Sequence, residues 1–228
     1  MTNLKLNETP IRTAKNYGIN NIKLENINVP ENISEFNGLK ITGVSDDGKV
    51  MVKENVDKND FKYGNGDILA KQIDEKSNKN ISLEIDGKLS EELFLDFVFS
   101  KENKNLLENI LIKANENSKG TIIIRFTSKG EQEYYHNGQI KIIAEKNAKL
   151  NIVLVNLLNN QTNHFLAIEN IIKDNAEIKY VTAEFGGKNT IINYYTCIKE
   201  TGANNEINTI YLGGQDQIID LNYIVEAY

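Results

Sequence analysis

Glu145-Lys146-Asn147-Ala148-Lys149-Leu150 and Lys173-Asp174-Asn175-Ala176-Glu177-Ile178 are two versions of one sentence. Ala148 and Ala176 stand at an offset of 28, and Glu200-Thr201-Gly202-Ala203 follows at 27. Backward, Glu116-Asn117-Ser118-Lys119-Gly120 precedes by 30, counted from Asn117 to Asn147. Each copy has the same plan. An apolar run enters a charged turn that ends in Asn or Gly, a small residue follows, and a second run begins at once. The second runs are Thr121 to Phe126, Lys149 to Asn156, Glu177 to Glu184 and Glu206 to Leu212. The first runs are centred on Ile140-Lys141-Ile142-Ile143, Ala167 to Ile171, Asn193 to Ile198 and Asn222 to Val225, which aligns position 143 with 171, 198 and 225.

A period of about 27–30 residues with two alternating segments per copy is the mark of a solenoid, because one coil cannot bury its own apolar face. The segments alternate with a period of two, which excludes helical repeats, and no Leu ladder of the leucine-rich type is present. The expected fold class is therefore mainly β: a right-handed parallel β-helix of two-strand coils with a small N-terminal α/β region, right-handed crossovers being the rule for parallel strands. A β-sandwich with accidental similarity is the competing reading. The inward face should carry Ile142, Leu150, Ile152, Ile171, Ile178, Tyr180 and Ile198.

Residues 81–228 are assigned to the β-helix, ending mid-repeat, and residues 1–80 to an arm and a small mixed region. Within the latter, Glu8-Thr9-Pro10-Ile11-Arg12 reads as an extended arm, since Pro10 disfavours helix at Thr9. Leu39 to Thr42 and Lys49 to Val52, split by Asp46-Asp47-Gly48, read as a hairpin. A loop and a short helix at Asp67 to Asp74 precede the first repeat. The chain stops at Glu226-Ala227-Tyr228, inside a strand and without a polar cap, which suggests truncation of a longer protein. Leu221, Tyr223 and Val225, with Tyr228 at the tip, are expected to meet a second chain.

The 228 residues carry 26 Lys plus Arg against 32 Asp plus Glu, a net charge of −6, which argues against a phosphate-backbone binder. The 34 Asn and 31 Ile fit turns and strands respectively. No apolar run reaches membrane-spanning length and the N-terminus has no signal-peptide core. With the lone Cys197 this points to a reduced, cytoplasmic setting.

The stretch from about Thr121 to Tyr228 resembles the SufB/SufD family of iron–sulfur cluster assembly proteins. The residues that carry the likeness are Tyr135 to Ile142 (YHNGQIKI), Asn163-His164-Phe165, Asn175-Ala176-Glu177-Ile178 and Ile210 to Gln217 (IYLGGQDQ); Glu8 to Arg12 is similar to the arm that opens many SufD-like chains. The short chain and single Cys make it SufD-like. The resemblance implies a non-catalytic scaffold subunit that pairs with a SufB-like paralogue or a second copy through late β-helix strands. It also implies a partner ABC-type ATPase, SufC, docked through a C-terminal helical region that these residues lack. A transient iron–sulfur cluster belongs to the complete complex, with no cofactor held by this fragment. Where the family often has a histidine near the end of the last strand, Val225-Glu226-Ala227 stands here. The alternatives are a carbohydrate-active β-helix enzyme, of lyase or esterase type, and a purely structural solenoid.

The candidate chemistry is sparse. Cys197 shares a strand face with Tyr195 and reads as a small core hydrophobe or an iron or sulfur ligand. His136 and His164 are separated by one repeat, the same offset that relates Ala148 to Ala176, so they are placed to stack. With a carboxylate they would make a metal site, and otherwise they are turn or surface hydrogen-bonders. Gly64-Asn65-Gly66 and Gly186-Gly187-Lys188 lack P-loop spacing and read as turns. Asp46-Asp47 and Glu91-Glu92 read as solvated. No catalytic, cofactor-binding or metal residue is assigned.

Overall fold

The computed structural model describes residues 1–9, 19–44, 47–57, 60–214 and 216–227. Fifteen strands and one helix are present among these residues. The order is β1 (Thr2–Leu6), β2 (Ile22–Ile27), β3 (Leu39–Thr42), β4 (Val50–Glu54), α1 (Asp67–Lys76), β5 (Lys79–Ile85), β6 (Leu93–Phe99), β7 (Asn105–Ala114), β8 (Lys119–Ser128) and β9 (Tyr135–Ala144). The remaining strands are β10 (Lys149–Leu157), β11 (Asn163–Ile172), β12 (Glu177–Glu184), β13 (Asn189–Ile198), β14 (Asn204–Tyr211) and β15 (Ile218–Ala227). Odd strands from β5 to β15 stack in parallel in one sheet, and even strands from β6 to β14 stack in parallel in the other. The chain is a parallel β-solenoid with a repeat of about 29 residues.

Alternation explains the stacking. In β10 the burial pattern switches at every residue, and Leu150, Ile152 and Leu154 point inward at 0–2% exposure. The parallel ladder sets Ile152 between Ile122 and Tyr180, both fully buried. Each such side chain contributes about 1.5–3 kcal/mol by leaving water. The turn after each odd strand is held by a left-handed residue: Asn117, Asn147 and Asn175 have φ of 62°, 58° and 54°, and Gly202 takes the place at 73°. Asn147 Nδ2 donates to Asn117 Oδ1 at 3.0 Å, so the turns themselves form a ladder. The small residues that follow, Ser118, Ala148 and Ala176, are fully buried.

Of the seven expected core residues, Ile142, Leu150, Ile152, Ile178 and Tyr180 are buried, but Ile171 and Ile198 are only partly so. The alignment of 143 with 171 holds, whereas 171 pairs with Cys197 and 197 with Glu226. Ile171 sits beside Ile143, on the face opposite Ile142, and the change of register after 171 comes from the bend before β13. Gly187 sits at φ 93°, and a side chain on Gly186 would come within 2.0 Å of the Leu158 carbonyl oxygen. That tight bend shortens the step from β11 to β13, with Asn163 facing Asn189 at a separation of 26. The step to β15 is longer, with Asn193 facing Asn222 at a separation of 29.

The expected hairpin does not form. β3 pairs antiparallel with β6, and β4 pairs antiparallel with β5, so the two segments join different sheets. The local turn signal around Gly48, at φ 74°, is real, but it says nothing about which edge each strand meets. The first strands of the two sheets offer longer apolar ladders, and β3 and β4 cap them. Asp46 and Tyr228, like Pro10, Ile11 and Arg12 of the arm, lie outside the described residues. The helix expected at Asp67 forms and runs to Lys76.

The two faces of the odd-strand sheet are both covered. Its inner face forms the main core, while Leu107, Tyr135, Phe165 and Ile191 on the outer face pack under Leu4, Leu6, Leu24 and Leu69 of β1, β2 and α1. Asn147→Val should lower unfolding free energy by about 1–3 kcal/mol in urea titration, since a β-branched residue is strained at positive φ. Asn147→Gly should leave it within about 1 kcal/mol of the parent.

Candidate functional site

Along β7, Leu106, Ile110 and Ile112 face the interior, so Glu108 between them must do so too. The ladder places Leu106 beside His136 and His136 beside His164. Both histidines and Glu108 are completely enclosed, at 0–1% exposure. Glu108 approaches His136 Nε2 with both oxygens at 2.7 Å, and His136 Nδ1 lies 2.6 Å from His164 Nδ1. The imidazoles stack at 4.6 Å between centroids, with Phe126 at 4.6 Å and 5.2 Å from the two rings. Gly138, the register partner of Glu108, leaves the space the carboxylate fills: a Cβ there would lie 2.2 Å from Oε1.

Burial dictates the charge state. It raises the Glu108 carboxyl well above its ordinary range, pushes His136 down to about 3 and drives His164 well below 6.5. The column is thus neutral: the Glu108 acid donates to His136 Nε2, whose Nδ1–H then donates to His164 Nδ1. The histidines do stack one coil apart, as the spacing implies, but they are neither turn nor surface residues. Nor do they form a metal set. Glu108 faces one nitrogen of His136 and His164 faces the other, so the three groups share no common point, and among the described residues no cluster of three or more ligand-type side chains can hold a metal. What the arrangement can do is hold and relay a proton inside a closed core.

One coil further, the interior stays polar. Asn156 donates to the Gly186 carbonyl at 3.1 Å, and Thr190 donates to the same oxygen at 2.7 Å. Glu184 is 2% exposed, and its carboxyl is pushed up to about 7 by burial. Glu184 Oε2 and the Tyr194 hydroxyl are buried with no hydrogen-bond partner.

A second cluster lies on the outer face of the odd-strand sheet. Lys62 Nζ donates to Glu226 at 2.6 Å and to the Tyr195 hydroxyl at 3.1 Å, while Tyr195 donates to Glu226 at 2.8 Å. These bonds to Glu226 and Tyr195 raise the Lys62 ammonium above its ordinary value. Glu169 accepts from the Lys62 backbone N–H at 2.6 Å and pairs with Lys141 at 3.3 Å. Cys197, 6% exposed, borders a hollow of about 110 Å³ with Lys62, Glu169, Tyr195 and Lys199. The thiol is buried, as a small hydrophobe would be, and lines this hollow together with two lysines.

Gly64-Asn65-Gly66 leads into α1, with Gly66 at the helix cap, and Gly186-Gly187-Lys188 forms the bend before β13. Glu91 and Glu92 are exposed, and Asp47 pairs with Lys49 at 2.8 Å near the surface. Sequence reasoning missed Glu108, Lys62, Glu169, Glu184 and Glu226. For Glu108 a signal existed: an acid at an inward position, one repeat before His136.

The profile of the SUF system FeS cluster assembly, SufBD core domain, matches residues 97–228. No curated protein matches the chain.

Both histidines bind fewer protons folded than unfolded below pH 6.5. Their contribution is therefore full above that pH and is lost as pH falls through it, at about 1.4 kcal/mol per pH unit per group. Glu184 acts oppositely, costing stability as pH rises from about 4.5 toward 7. In His136→Asn/His164→Asn, urea titrations across this range should show a flattened acid limb. Gly138→Ala should destabilise by about 1–3 kcal/mol, and by clearly less when Glu108→Ala has already vacated the space.

Proposed function

Because the chain belongs to the SufBD family of iron–sulfur cluster assembly proteins, we propose that it is a non-catalytic scaffold subunit of a cytoplasmic assembly complex. It works with a SufC-type ABC ATPase and a paralogous, SufB-like β-helix subunit, and it plays the SufD-like part. The family membership leaves the carbohydrate-active reading without support. Among the described residues no helix is long and apolar enough to cross a membrane.

The match of the SufBD core domain over residues 97–228 carries the scaffold reading. Among the described residues, the coil of β14 and β15 exposes Ile210, Leu212 and Val225 at 63%, 70% and 58%, apolar material suited to contact with a partner. Tyr223 stacks on Tyr194 at 5.1 Å and Leu221 packs on the core, which holds that coil in place. The single Cys197 cannot supply the four-thiolate shell typical of a cluster. Cargo held near it needs further ligands beyond that thiol.

Co-expression with the paralogue and the ATPase tests this. The paralogue should be captured directly and the ATPase only in its presence. Leu212→Lys/Val225→Lys, both surface changes, should weaken paralogue capture at least about tenfold with an unchanged unfolding midpoint. Equal capture by the variant overturns the scaffold reading.

A further inference from the structure

Asparagine precedes glycine at three places in the sequence, Asn37-Gly38, Asn65-Gly66 and Asn137-Gly138. Such a pair carries a reaction of its own. Glycine has no side chain to shield its backbone nitrogen or to restrict its approach to the carboxamide carbon of the residue before it. The fold treats the three pairs differently. Asn137 is 1% exposed, and its amide nitrogen donates to the Leu69 carbonyl at 2.9 Å and to Gln72 at 3.0 Å. Gly138 stands inside the parallel ladder, between Glu108 and Leu166. Asn65 is 3% exposed; its backbone carbonyl accepts from Asn7 at 2.9 Å, and that of Gly66 accepts from Ala70 at 3.0 Å. Asn37, by contrast, is exposed and precedes β3. Among the described residues neither its carboxamide nor the Gly38 N–H has a hydrogen-bond partner. Glycine is required at 38: a Cβ there would lie 2.2 Å from the Val98 carbonyl oxygen and 2.9 Å from the Phe36 ring. Packing against β6 thus keeps the reactive pair in place.

We propose that Asn37 is a site of spontaneous deamidation, and that the fold protects the other two asparagines from it. The Gly38 nitrogen loses its proton to hydroxide and bonds to Cγ of Asn37. The Cγ–Nδ2 bond breaks, and Nδ2 leaves as ammonia after taking a proton from water, which restores the hydroxide. Water then opens the five-membered imide. Opening at Cγ gives aspartate, and opening at the backbone carbonyl gives isoaspartate, whose main chain runs through Cβ and Cγ. Isoaspartate therefore adds one carbon to the main chain where it is tied on both sides. Phe36 is fully buried against Phe97 and Phe99, and the Asn37 N–H donates to Asn103 Oδ1 at 2.7 Å. The Gly38 carbonyl accepts from the Val98 N–H at 2.8 Å. The added carbon displaces Gly38 and the start of β3, which loosens the strand that caps the even-strand sheet. The site is independent of the assembly role, since it shares no residue with β14 or β15.

The test ages the full chain at mildly alkaline pH, follows each asparagine by peptide mass spectrometry, and scores isoaspartate by enzymatic methyl transfer from S-adenosylmethionine. Asn37 should convert at least about tenfold faster than Asn65 or Asn137, which react only after local opening. In concentrated urea the three rates should converge, because burial no longer separates them. Asn37→Ser should abolish the fast phase of ammonia release. Protein enriched in isoaspartate at 37 should unfold at a lower temperature than the parent, whereas Asn37→Asp, with an ordinary main chain, should unfold close to it. Equal rates at the three sites in the folded protein, or an unreacted Asn37 while the urea-unfolded chain converts, overturns the proposal. An unchanged midpoint in the isoaspartate form overturns the loosening of β3.

Discussion

The register between stacked coils governs everything else in this protein. In a parallel ladder each residue has a fixed partner one coil above and one below, so side chains form columns along the solenoid axis. A column is either filled throughout by compatible groups or it fails throughout. Ile122, Ile152 and Tyr180 make one such column, and the left-handed asparagines at 117, 147 and 175 make another at the corner. The same rule places Glu108, His136 and His164 within reach of one another. His136 and His164 are ladder partners, and Glu108, one step off their column, reaches His136 through the space that its own partner Gly138 leaves open.

The interior therefore changes character along its length. Near β6 and β8 it is packed with Leu, Ile and Phe, including Phe97 stacked on Phe126 at 5.1 Å. From His136 onward it takes in imidazoles, then Asn156, Thr190, Glu184 and Tyr194. Groups of this kind are costly in a dry core unless each finds a partner. The column at Glu108 meets that demand by staying neutral and by the missing side chain at Gly138. Glu184 and Tyr194 meet it less completely, so the polar stretch is the least relaxed part of the core.

Most of the architecture was readable because a repeat multiplies a weak signal. One Asn-Ala corner means little, and several at nearly constant spacing mean a coil. The register error beyond Ile171 arose because counting assumes even spacing, while two adjacent glycines shortened one bend. The stacking of His136 and His164 was visible from their separation, yet their burial was not, since Asn neighbours at 137 and 163 look like surface. What hides them is the layer of β1, β2 and α1 on the outer face together with the opposite sheet. Nothing in the local sequence around Lys62 shows that it will reach Glu226, which lies 164 positions later.

That long reach changes how the chain must come together. A solenoid built only of neighbouring coils behaves as a one-dimensional array, able to fray or grow from either end. Here the first residues are fastened to the last strand: Asn7 donates to Asp220 at 2.6 Å across 213 positions, and Lys62 and Tyr63 hold Glu226. As the chain leaves the ribosome, inner coils can stack as soon as they emerge, but the N-terminal layer must wait for β15 before its latch can close. Closing it ties the N-terminal layer and the coil of β15 into one cooperative unit, so loosening at either is felt at the other.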